Sequence, residues 1–172
     1  VKNCIVGSEI DSNSIEINVR INDPNYLFPV VGLRHIDDTG LFYPAHHNKV
    51  SGININCFQP VGKLHVTGIF GQGLHHCQVG GPTSQTGISI NDPSFLANEI
   101  RFSGIQPIDD SDSNSVSYIN VVGKALVTGI GPLNLYEGNT FDILNSEVKH
   151  CTINSNDKLT FRGFFSRVVN NC

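Results

Sequence analysis

Methionine and tryptophan are both absent from this 172-residue chain, and tyrosine occurs only four times. Without an indole, a stacking platform for sugars has to rest on Tyr26, Tyr43, Tyr118 or Tyr136, which weakens a lectin reading without removing it. The chain begins at Val1 and holds no methionine anywhere, so an initiator is expected to have been removed, with or without a leader peptide, which fits export. Charge is sparse as well, at 15% of residues with a net charge of −4. The eleven basic residues lie singly, so no cationic stripe faces phosphates and nucleic acid is disfavoured as a partner. No apolar run approaches the roughly 18 residues that cross a bilayer, and no membrane span is expected.

Catalytic signatures are missing too. No Gly-x-Ser-x-Gly elbow presents a nucleophile, and no Cys-x-x-Cys pair points to zinc or a redox dithiol. The glycine-rich stretches 70–73 and 79–82 precede β-prone runs rather than helices, so they offer no helix N-terminus to a phosphate. The nineteen asparagines include no Asn-x-Ser/Thr acceptor, which argues against heavy glycosylation. An enzyme is not expected.

What is present is repetition. At 39% hydrophobic residues the chain can bury a core. Cysteine-led phrases at Val1-Lys2-Asn3-Cys4, His75-His76-Cys77 and Val148-Lys149-His150-Cys151 place their cysteines 73 and then 74 residues apart. Ile21-Asn22-Asp23-Pro24 is echoed by Ile90-Asn91-Asp92-Pro93, Gly32-Leu33 by Gly104-Ile105, and residues 61–69 by 122–130. Several echoes in one order indicate a repeated unit of about seventy residues. The division read from them is a first unit at 1–76, a second at 77–150, and a partial third at 151–172 that repeats only the opening of a unit.

Ile15-Glu16-Ile17-Asn18-Val19-Arg20-Ile21-Asn22 and Ile53-Asn54-Ile55-Asn56-Cys57 alternate apolar and polar side chains, the pattern of half-buried strands. Gly71-Gln72-Gly73 between two β-prone runs is read as a hairpin, and 109–115 as a solvated loop. Asp-Pro at 23–24 and 92–93 is read as a cap opening one helical turn. The expected fold is all-β: two tandem antiparallel units, sandwich or small barrels, plus a C-terminal strand segment. Three versions of the first strand but two bodies leave one strand surplus, available to a neighbouring chain.

Disulfides are the preferred reading of the cysteines, with Cys4, Cys77, Cys151 and Cys172 as candidates and a bond to another subunit easiest through Cys4 or Cys172; reduced, buried cysteines are the alternative. Asp23, Asp37, Asp38, Asp92, Asp109 and Asp110 recur between the units and form a candidate calcium site, calcium being the one candidate cofactor, although turn and cap chemistry explains them better. His46-His47, His65 and His75-His76 are read as scattered surface residues, because neighbours on a strand point to opposite faces. The function expected is a non-enzymatic structural subunit of an extracellular or virion-surface filament or shell, a homo-oligomer or polymer associating with itself by strand pairing. The alternative is a bivalent module binding glycan or protein, with one site per repeat.

Overall fold

A computed structural model describes residues 2–8, 10, 14–36, 45–133, 141–155 and 159–172. The first pass of the chain holds β1 (Ile5–Gly7), β2 (Ile15–Val19) and β3 (Asp23–His35). The second holds β4 (Ala45–His46), β5 (Lys49–Ser51), β6 (Ile53–Cys57) and β7 (Val61–Gly71). The third follows as β8 (Leu74–His75), β9 (Gln78–Val79), β10 (Ile88–Asn91) and β11 (Ala97–Pro107). The fourth is β12 (Ser111–Asp112), β13 (Ser115–Val122) and β14 (Ala125–Ile130), and the fifth β15 (Asp142–Leu144), β16 (Glu147–Asn154) and β17 (Thr160–Phe164). β18 (Val168–Asn170) opens a further pass.

The described elements are all strands, as the sequence implied, but the antiparallel sandwich or barrel is overturned. Each named strand pairs in parallel with its equivalent one pass earlier or later: β3, β7, β11, β14 and β17 stack in one sheet, β4, β8, β12, β15 and β18 in a second, and the remaining strands in a third. The fold is a β-solenoid of about four turns. Alternation along Ile15–Val19 decides which side chains face inward, and an inward row suits a parallel neighbour as well as an antiparallel one. The hairpin expected at 71–73 is instead a corner that carries β7 into β8, in a different sheet. No helical turn follows Asp-Pro: Tyr26 and Leu27 lie within β3, and Phe95 has a left-handed φ of 53°. Nor is 109–115 a solvated loop, since Ser111 and Asn114 are buried at a corner.

The interior is built from columns, one residue per pass. Ile15, Ile53, Ile88, Ile119 and Cys151 form one, and Leu33, Ile69, Ile105, Ile130 and Phe164 another. A glycine column, Gly32, Gly68, Gly104, Gly129 and Gly163, lies against the valines of the following pass. A Cβ on Gly68 would stand 2.5 Å from the Gly104 carbonyl oxygen and 2.6 Å from Val79 Cγ1, so only hydrogen fits there.

The repeat spacing follows from this geometry. Where β5 joins β6, and midway along β13 and β16, a single left-handed residue bends the strand: Gly52 at φ 64°, Tyr118 at 53° and His150 at 53°. The first and third passes insert a longer segment at the same place, between β1 and β2 and between β9 and β10. Alternate passes therefore resemble each other, and the echo from Cys4 to Cys77 spans two turns. Cys151 breaks that register, lying in the column of Ile119.

Candidate functional site: a corner column and two open ends

At the corner preceding the third sheet, the residues Asn3, His47, His76, Ser113, Asn145 and Asn171 all adopt left-handed φ between 46° and 55°. Asparagine tolerates that region better than most side chains because its short amide bonds locally. Each is followed by a small polar residue, Cys4, Asn48, Cys77, Asn114, Ser146 and Cys172, of which the middle four are buried, Cys4 is half-buried and Cys172 is exposed. The column is hydrogen-bonded along the solenoid axis. Cys4 N donates to Asn48 Oδ1 at 3.0 Å, Cys77 N to Asn114 Oδ1 at 2.8 Å, and Asn114 N to Ser146 Oγ at 3.1 Å, while Asn114 Nδ2 donates to the Leu74 carbonyl at 2.8 Å. The cysteine phrases marked two of the six positions, Cys4 and Cys77; the asparagines, the serine and Cys172, which complete the column, went unread as members of it.

Three of the four cysteines proposed for disulfides, Cys4, Cys77 and Cys172, belong to this column, yet every cysteine is a free thiol. Cys4 and Cys172 lie five strand spacings apart, roughly 24 Å at about 4.8 Å each. A disulfide tolerates only about 7 Å between Cα atoms, so the expectation of bonds within the chain is corrected. Burial pushes the Cys77 and Cys151 thiols up, and burial with the nearby Asp92 carboxylate raises Cys57 to about 12. Buried, reduced cysteines, the alternative reading, describe Cys57 and Cys77, and Cys151 is a reduced, half-buried one.

The left-handed corner also gathers histidines that the sequence scattered. Because His47 and His76 take positive φ, they do not point away from His46 and His75 as strand neighbours would. His46 stacks on His75 at 5.3 Å between centroids, and His47 on His76 at 5.0 Å. Burial, then the neighbouring His75 and Lys2, hold His46 below the usual imidazole range. Asp112, on the next pass, is held low by the hydrogen bond from Asn145 Nδ2. His65 lies elsewhere, in β7. Among the described residues no group of three or more His, Cys, Asp or Glu side chains is arranged to hold a metal ion.

The acidic residues read as a calcium site cap backbone turns at separate places. Asp92, fully buried, accepts from the Leu96 and Ala97 amides at 2.8 and 2.9 Å. Asp23 accepts from Asn25 N, Asp109 from Gly73 N and Asp110 from Asp142 N. Asp37 and Asp38 lie outside the described residues, as do Tyr43 and Tyr136. Tyr118 stacks on His150 at 4.6 Å.

Among the described residues, β3 pairs only with β7, β17 only with β14 and β18 only with β15, so a row of backbone donors and acceptors faces outward on the first and last passes. The core columns run out with them: Val6, Ile15, Ile17, Phe28, Val30 and Leu33 at one end and Val148, Cys151, Ile153 and Phe164 at the other are only partly buried, whereas their counterparts inside are buried. Phe161 in β17 is 48% exposed. Around Gly163, the last of the glycine column, nothing lies within 4 Å of a Cβ position. Searches against protein-family models, curated proteins and solved structures find no match to this chain.

Proposed function

We propose that this chain is a non-enzymatic structural subunit of an extracellular or virion-surface filament or shell, joined to its neighbours by β-strand pairing at the ends of the solenoid. The observation that carries the reading is that both terminal passes leave a sheet edge and a set of apolar columns uncovered. A solenoid with bare ends acquires a cover, because unpaired strand edges and apolar surface are satisfied together when another strand is added. A further copy of the chain supplies such a strand. Cys4 and Cys172, which terminate the corner column at opposite ends, are where a disulfide between copies would form.

The test is molar mass by light scattering across a concentration series, with and without reductant. Mass that climbs with concentration supports the reading, and a further fall on reduction assigns part of the contact to a disulfide. A monomer of 18.7 kDa under every condition overturns it.

A second reading, a binding module for glycan or protein, draws on the outer face of the third sheet. There Asn91 Nδ2 donates to Asn54 Oδ1 at 2.8 Å and to Asn56 Oδ1 at 3.1 Å, and Asn120 Nδ2 donates to Ser89 Oγ at 3.3 Å. The result is a polar array crossing several passes, suited to a ligand rich in hydroxyls or amides. A strict monomer that binds an immobilised glycan would favour this reading.

A further inference from the structure

Resting on the end-to-end reading above, we infer that the joint between copies is a strand exchange in which Val168–Cys172 of one copy takes the place of residues 2–4 of the next. The starting point is a mismatch in the number of passes. Lys2 bridges His46 in parallel, so the second sheet is occupied six times along the axis, from Lys2 to β18. The sheet containing β3 and β17 is occupied five times. When the first pass of one copy stacks on the fifth pass of another, the other two sheets continue without a gap. At the corner, however, β18 of the first copy and the N-terminal segment of the second claim one position.

The two claimants are nearly the same sequence. Val1-Lys2-Asn3-Cys4 and Val169-Asn170-Asn171-Cys172 differ at a single residue. Asn3 and Asn171 share the left-handed conformation, at φ 55° and 53°. Each is followed by a cysteine of the same column. In the isolated chain the N-terminal segment is held by Asn3 N on the His46 carbonyl at 3.1 Å, Cys4 N on Asn48 Oδ1 at 3.0 Å and Lys49 N on the Cys4 carbonyl at 2.8 Å. Residues 168–172 present equivalent groups to the same partners. Residues 2–4 of the accepting copy then swing outward, with the crossover at Ile5, which is 61% exposed.

The remaining columns fit the same stacking. Gly32 lies against Val50, Gly68 against Val79, Gly104 against Val116 and Gly129 against Val148, each valine one pass on; Gly163 lacks its valine. In the stacked pair that valine is Val6 of the next copy, from the column containing Val50, Val79, Val116 and Val148. Charged positions are compatible as well. Glu147 meets Ile5, Lys149 meets Gly7, Thr152 meets Glu16 and Arg162 meets Val31, so these columns set no like charges together.

The experiment compares sedimentation equilibrium of four chains: the 172-residue protein, Gly163→Val, a chain lacking residues 168–172 and a chain lacking residues 1–4. Thermal melting confirms that each is folded. Gly163→Val is expected to fold, since nothing lies within 4 Å of its Cβ position, and to lose association, since the added side chain occupies the place of Val6. Removing 168–172 is expected to lose association. Removing 1–4 is expected to strengthen it about tenfold or more, because the competing hydrogen bonds are gone. Association that survives Gly163→Val overturns the end-to-end stacking itself. Association lost in Gly163→Val but kept without residues 168–172 overturns the exchange alone. A chain lacking 1–4 that stays monomeric at every concentration overturns both.

Discussion

At the scale of single residues, the glycine column limits how thin the solenoid is across its width. The Cβ positions at Gly68 and Gly104 lie 2.5 to 2.7 Å from the next glycine carbonyl and from a valine methyl, inside van der Waals contact. Gly68→Ala or Gly104→Ala should destabilise the fold by ~1–3 kcal/mol, the usual cost of forcing atoms into a filled core. Gly163→Ala, on the open last pass, should change stability by less than about 0.5 kcal/mol. Urea denaturation of the three variants measures this, and equal losses at Gly68 and Gly163 would contradict the column. The echo of Gly32-Leu33 in Gly104-Ile105 did mark two members of this column. The echo of residues 61–69 in 122–130 marked two more, Gly68 and Gly129; that both echoes share one column was missed because neighbouring passes differ, His65 and Thr67 standing where the third pass has Arg101 and Ser103.

At the scale of elements, the corner strands join groups that titrate. The histidines in and just after β4 and β8, His46, His47, His75 and His76, lie between Lys2 on one side and Asp112 on the other. His46 binds a proton less readily in the folded chain than in the unfolded one, so its contribution to stability is full above about pH 6.5 and is lost as pH falls through its lowered pKa. Asp112 is lowered too, here because folding favours its charged form, so its contribution is full above the ordinary carboxylate range and is lost as pH falls through its lowered pKa. The urea midpoint should therefore fall as the pH is lowered from 7 toward 5, before the carboxylates titrate. His46→Gln should flatten that part of the profile. A midpoint independent of pH across this window would show that the imidazole stack carries no such penalty. Strand positions at Ile15–Val19 and Ile53–Cys57 were readable from alternation, but the stacking of these histidines was not, because it depends on left-handed φ at His47 and His76.

At the scale of the whole molecule, stability is distributed as in other stacked repeats, where each turn contacts only its neighbours. The inner passes are covered on both sides and the outer ones on one. Amide hydrogen exchange measured at low protein concentration should leave β7, β10, β11 and β13 protected and release the outward amides of β3, β17 and β18 at least ~10-fold faster. Uniform protection along the axis would mean that the ends are covered in solution. At concentrations where copies associate, the end strands should gain protection while the inner ones do not change.

The sequence by itself determined that the chain is all-β, that it repeats, and which side of most strands faces the core, because a two-residue alternation reports burial directly. Tertiary structure decided what lies beside each strand. Parallel stacking in turns rather than antiparallel pairing depends on where the corners send the chain, and Gly71-Gln72-Gly73 reads as a hairpin until β8 is found in another sheet. It also decided which echoes were real. Residues 64–69 and 125–130 stack two turns apart, whereas Asp23 shares a column with Ala97, through Val61, and not with Asp92. Similarity along the chain measures composition at a distance; only the hydrogen-bonded register places residues in one column.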